Sequence, residues 1–248
     1  MPPIARSESR GQTVPGSESA PRLGRRAAVE GLGTSLLLAA VVGSGIMAER
    51  LSGGNAGLAL LANSMATGAG LVALILAFGS FSGAHFNPLV TLTDAILRGR
   101  PWREVAPYVT AQLAGAFVGV AMADVMFGEP LFAVSQKARS GVPQAFGEFV
   151  ATFGLLAVLF VPLRRGLAEV AVAVGAFIAA AYWFTSSTSF ANPAVTLARS
   201  MSNTFTGIRP QDVPGFFIGQ ALGTAAFVLL ARWLFPKSSI TVTRSNNG

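Results

Sequence analysis

NPLVTL at 87–92 returns as NPAVTL at 192–197, with five of six residues the same. A matching stretch follows each copy, YVTAQLAGA at 108–116 and FFIGQALGT at 216–224. Ahead of each lies an apolar run that opens on a glutamate, Glu30 in VEGLGTSLL and Glu148 in GEFVATFGLL. A single Asn-Pro pair reads as a surface turn. Two copies with shared flanks, in corresponding places, read as an internal repeat.

Six apolar stretches around these motifs are long enough to cross a bilayer, which takes about 20 residues at 1.5 Å rise each. They lie near 27–48, 56–79, 104–127, 144–163, 167–186 and 212–235. The motif segments, near 87–98 and 192–202, follow polar small-residue stretches (GSFSGAH and TSSTSFA) and are too short to span. Three spans per half is an odd number, so the second copy enters the membrane from the opposite side. Such an inverted repeat, with interrupted segments at matching positions, marks its own site. The expected fold is therefore an all-α membrane protein with six transmembrane helices and two re-entrant half-helices. Repeat one covers about 27–127 and repeat two about 144–235.

Composition agrees. Of 248 residues, 52% are hydrophobic and 12% charged, about half the roughly 25% charge of soluble domains. The absence of cysteine excludes a disulfide scaffold and thiolate metal sites. One histidine leaves too few ligands for most zinc or haem chemistry. No cofactor or metal is expected, and no HExxH or G-x-S-x-G supports an enzyme. The net charge of +7 raises nucleic acid as a partner, but its distribution answers that. With the N-terminus inside, thirteen basic residues fall on the cytoplasmic side and only Arg50, Lys137, Arg139, Arg199 and Arg209 on the outer side. The positive-inside rule then puts both termini in the cytoplasm, and no nucleic-acid partner is expected. Residues 1–26, rich in Ser, Gly, Pro and Arg, read as a disordered cytoplasmic tail without the apolar core of a signal peptide. Residues 237–248 form a short polar tail.

The chemistry of the motif can be stated. Asn is a favoured N-cap, and Pro fits the first helical position because its missing N–H would be unpaired there anyway. Each motif starts a short helix with its positive dipole end at the asparagine. Inverted topology brings the two starts together near the midplane. Asn87 and Asn192 then cap their helices with the side-chain oxygen and aim amide N–H groups at a lumen. Such a lumen offers donors to a neutral solute while the facing helix ends repel cations.

On these residues the chain resembles the aquaporins and aquaglyceroporins, the major intrinsic proteins. The paired Asn-Pro motifs, with HFNP at 85–88, carry the likeness, which covers about 27–236. The resemblance implies a channel domain over that range and small neutral solutes as cargo. It also implies four protomers together in membrane lipid, each with its own pore. Its midplane would hold Asn87, Pro88, Leu89, Asn192, Pro193 and Ala194, with Glu30 and Glu148 holding the pore loops. Short loops and tails point to a bacterial inner membrane.

Two departures stand out. Leu89 replaces the usual alanine, and its bulk could shift the packing between the half-helices. Val195 occupies the place of the family's filter arginine, and Thr196 that of the aspartate common in glycerol facilitators. Counting back from each asparagine without gaps puts the other filter positions at Thr67, Ala180 and Ser189. These four residues predict a wide outer filter, poor in donors and free of arginine. Arg199 shares the face of Val195 one turn on, and two readings stand: it lines the outer vestibule, or it snorkels or packs in loop contacts. His85 either lines the cytoplasmic mouth or packs in its loop. Asn63, four residues before Thr67, either continues a polar lumen stripe or bonds a neighbouring helix.

The function expected is a passive channel for small uncharged solutes: water, glycerol-like polyols, and undissociated arsenic or other metalloid species. The alternative is an ion-coupled secondary transporter, which inverted repeats also build. It needs an ion-binding group at the midplane, where only amides are found.

Overall fold

A computed structural model describes residues 21–161 and 166–235. The tail assignments for 1–20 and 236–248 fall outside these residues, as do Arg164 and Arg165 of the charge count. Among the described residues the secondary structure is helical. Six long helices are α1 (Leu23–Leu51), α2 (Ala56–Ser82), α4 (Trp102–Phe127), α5 (Val142–Phe160), α6 (Leu167–Phe184) and α8 (Val213–Leu234). Each is apolar enough to cross a membrane. The short helices α3 (Pro88–Leu97) and α7 (Pro193–Arg199) are the two motif segments.

α1 begins at Leu23, inside the stretch 1–26 expected as a tail. Its first turn is pinned by Arg26, whose two Nη groups donate to both oxygens of Glu104 on α4, at 2.9 and 2.8 Å. At the other motif, α7 stops at Arg199 instead of running to 202. Ser200 and Met201 turn back three residues, onto the carbonyls of Leu197 and Ala198.

Both half-helices start as their sequences dictate. Asn87 and Asn192 are extended N-caps (φ −153° and −158°), each followed by proline in the first turn. The Asn87 Oδ1 accepts from Leu89 N at 2.9 Å. The Asn192 Oδ1 accepts from Ala194 N at 3.0 Å and Val195 N at 3.4 Å.

Small residues let the long helices close around these segments. A Cβ added at Gly115 of α4 would overlap the Gly31 carbonyl oxygen of α1; one at Gly219 of α8 would overlap that of Ala145 on α5. Gly119 and Gly223 repeat the contact one turn on. In lipid, where apolar burial drives little association, such backbone approach is what holds helices together. Gly45 differs: its close neighbour is Thr206, in the segment after α7. That segment is also paired with the α4–α5 loop, Ser135 N donating to Ser200 O and Arg209 N to Lys137 O, both at 2.9 Å.

Candidate functional site

Each pore loop reaches its asparagine through backbone that L residues rarely adopt. Ala84 and Phe86 have φ of 49° and 48°; Ser189 and Ala191, at equivalent places in the second loop, have 51° and 49°. Left-handed conformations at such residues cost free energy and need support from their surroundings. The two buried glutamates supply it. Glu30 Oε1 accepts from Ser82 Oγ (2.7 Å) and His85 N (3.0 Å), and Oε2 from Phe86 N (2.7 Å) and Gln112 Nε2 (2.9 Å). Glu148 accepts from Phe190 N and Ala191 N, both at 2.8 Å, and from Gln220 Nε2 at 2.6 Å. Gln112 and Gln220 go on to Thr91 and Thr196, at 3.0 and 2.8 Å.

The loops are locked to each other at the midplane. Asn87 Nδ2 donates to Ala191 O at 2.7 Å, and Asn192 Nδ2 donates to Phe86 O at 2.8 Å. An amide carries two N–H bonds, so one on each asparagine remains for the lumen that both line. The lumen is a cavity of about 70 Å³, against about 10–15 Å³ for one water, so the space suits a short file of small molecules. Leu71, Ile75, Val174 and Ile178 give it an apolar wall. Leu89, Pro88, Pro193 and Ala194 do not line it; Val90 does. The half-buried side chain of Leu89 thus stands off the lumen instead of narrowing it.

Thr67, Ser189 and Val195 line the lumen toward one end. Ala180 does not join them: it is exposed, on the outward side of α6. Tyr182 takes the lumen position instead, its hydroxyl donating to Thr67 Oγ1 at 3.2 Å. Helix phase is the reason. Val174, Ile178 and Tyr182 recur every four residues along the buried face, and a position two residues back lies about 200° round the axis. A stripe search along α6 finds Tyr182; counting from Asn192 does not.

Arg199 lines the same end and is 2% exposed. It does not snorkel. Its Nε donates to Thr206 O, and its Cζ lies 3.4 Å from the Phe190 ring centroid. Val195 leaves its own level without an arginine, while Arg199, one helix turn on, brings a long cationic side chain to the same lumen.

Asn63 is a helix-to-helix bond. Its Nδ2 donates to Val41 O and Ser44 Oγ on α1, both at 2.9 Å, and it does not line the lumen. At the opposite end His85 lines the lumen, with Nδ1 3.0 Å from Thr91 Oγ1 and Nε2 3.7 Å from Asp94. Behind it runs a ladder of ion pairs that spacing alone does not reveal: Asp94–Arg100 (2.7 Å), Arg100–Glu104 (3.1 Å) and Glu104–Arg26 (2.8 Å). Among the described residues no cluster of His, Asp or Glu could hold a metal ion.

A family model described as major intrinsic protein matches residues 18–166. The chain is 53% identical over 212 residues to the aquaglyceroporin AqpS of Rhizobium meliloti, covering 86% of this chain and 91% of that protein. Over 224 residues it is 32% identical to the aquaporin NIP2-3 of Zea mays, covering 87% of this chain and 70% of the relative. The X-ray structure of the aquaglyceroporin from Plasmodium falciparum has the same fold, with a TM-score of 0.64 at 22% identity. The match covers 85% of this chain and 96% of that one.

Proposed function

This chain belongs to the major intrinsic protein family and is a passive transmembrane channel for small neutral solutes, and we propose that it passes solutes larger than water. Glycerol-sized polyols and undissociated metalloid acids, arsenous acid among them, are the cargo. One observation carries this reading. Val195, a short apolar side chain, faces the lumen beside Thr67 and Ser189, so no arginine from the turn nearest the midplane narrows that level. The name of the rhizobial relative, aquaglyceroporin, supports it. Pro88, Leu89, Pro193 and Ala194 act by shaping the half-helix starts, and Asn87 and Asn192 by donating to the solute.

Coupled transport is not favoured. Glu30 and Glu148, the carboxylates nearest the midplane, already accept bonds from the pore loops on both oxygens. They are held as structural acceptors and carry no ion. We further place the channel in a bacterial plasma membrane, with both termini cytoplasmic and four copies assembled in lipid, each with its own lumen.

Stopped-flow light scattering on vesicles containing the reconstituted full chain tests the reading, comparing water, glycerol and undissociated arsenous acid. The wild type is expected to pass all three. Val195→Arg should cut glycerol and arsenous acid about tenfold while sparing water, because it puts bulk and charge where a short apolar side chain now lines the lumen. Unchanged glycerol passage in V195R would sink the wide-filter idea.

A further inference from the structure

With valine at 195, the outer end of the lumen should be uncharged, yet a guanidinium stands there. From its geometry we propose that Arg199 and Ser189 form a solute-binding subsite, with Arg199 supplying the filter cation from the next turn of α7. The subsite takes uncharged solutes that present hydroxyl or oxo oxygens on one side and an apolar flank on the other. This deepens the channel reading above and rests on it.

Four observations carry the assignment. First, residues four apart on a helix share a face and stand one turn, about 5.4 Å, apart along the axis; Val195 and Arg199 both line the lumen. Second, Arg199 is buried without a carboxylate partner. Among the described residues Arg26, Arg50, Arg100 and Arg209 are ion-paired and Arg199 is not. A guanidinium has five N–H groups, and the protein engages only that of Nε, through Thr206 O. The four on its Nη atoms have no protein acceptor among the described residues. These N–H groups are therefore open to oxygen acceptors that a passing solute presents.

Third, Ser189 carries an orphan of its own. Its residue is 3% exposed and lines the lumen, and its Oγ has no hydrogen-bond partner. The lumen therefore holds two unmet polar groups at one end, a fork of donors and a hydroxyl that both donates and accepts. Val195 and Ile178 line the same lumen and give the solute's carbon side an apolar surface.

Fourth, the cation is held in place. Phe190 lies under it as a cation–π platform and is braced edge-on by Phe216, ring centroids 4.9 Å apart. Arg139 packs on Phe190 as well, its Cζ 5.1 Å from the ring centroid. It donates from Nε to Gly207 O (2.7 Å) and from Nη1 to Ser187 O and Thr188 Oγ1 (both 3.2 Å). One side chain thus ties the segment that anchors Arg199 to the segment that carries its platform. Arg139 is a positioning residue. The fixed positive charge also repels cations that enter from this end.

The test uses reconstituted full-length chain and reads three things: glycerol flux, water flux, and potassium and proton leak. Arg199→Leu is expected to raise the cation and proton leak about tenfold and to lower the glycerol-to-water ratio several-fold. Arg199→Lys keeps the point charge and so the low leak, but loses the fork and lowers the ratio. Ser189→Ala lowers the ratio about two- to threefold without leak. The double variant V195R/R199L moves the guanidinium one turn inward; it should restore cation exclusion while cutting glycerol. Wild-type leak and ratio in R199L overturn the proposal. If R199L does not elute as folded protein, wild-type ratios in both R199K and S189A overturn it instead. A wild-type channel that passes no glycerol defeats the broader reading and is a separate result.

Discussion

His85 and Phe190 stand at equivalent places in the two pore loops, each two residues before its asparagine. Everything beneath them is alike: a buried glutamate, a glutamine reaching a threonine, and left-handed residues at matching positions. What they meet differs. His85 backs onto a ladder in which Arg100 is shared between Asp94 and Glu104. Phe190 instead carries Arg199, which no described carboxylate neutralises. The repeat thus preserves the parts that hold the loops and diverges where the lumen opens. Stability should follow the symmetric residues, and selectivity the asymmetric ones.

That division can be broken experimentally. The largest effect is expected at the glutamates. Glu30→Leu and Glu148→Leu each strand buried backbone N–H groups, at about 1–3 kcal/mol per group. Both should abolish recovery of monodisperse protein in detergent, to a similar degree. A chain that tolerates one and not the other would show that the halves are held unequally.

Next come the asparagines. Asn87→Ala and Asn192→Ala remove an N-cap, about 1 kcal/mol, together with one interloop bond of similar worth. Thermal melts should fall by comparable amounts in the two variants, and water flux by about tenfold. Smaller still is Leu89→Ala. Leu89 stands off the lumen, so solute flux should stay within about twofold while the loss of a half-buried side chain costs about 1–2 kcal/mol. A large change in solute selectivity there would return Leu89 to the lumen wall. Tyr182→Phe should be the mildest: its bond to Thr67 contributes about 1 kcal/mol, and the ring that fills the space remains.

Much of this was legible in the chain itself. The repeated motif, the paired glutamates and the six apolar runs sufficed for the fold, because each follows from local rules: an N-cap before proline, and an apolar run as long as a bilayer is thick. The filter was only half legible. Ser189 and Val195 lie within three residues of Asn192, and Thr67 lies on α2, which only the short loop at 83–86 separates from Asn87. Ala180 lies beyond a loop whose length the count assumed, and helix phase put Tyr182 in its place. Arg199 was undecided because its position depends on Thr206 and Phe190, contacts that a local pattern does not encode. Asn63 was undecided for the same reason, since Val41 and Ser44 belong to another helix.

The interlocked asparagines have a consequence for how the chain matures. The bond from Asn87 closes on a residue 104 positions later, and its counterpart from Asn192 on one 106 positions earlier. Neither loop can reach its final form while the other half is still being made, because each needs a carbonyl its own half does not contain. Contacts this distant in sequence form late. An unfinished chain therefore has no completed conduit: the locked midplane exists only once both halves have met.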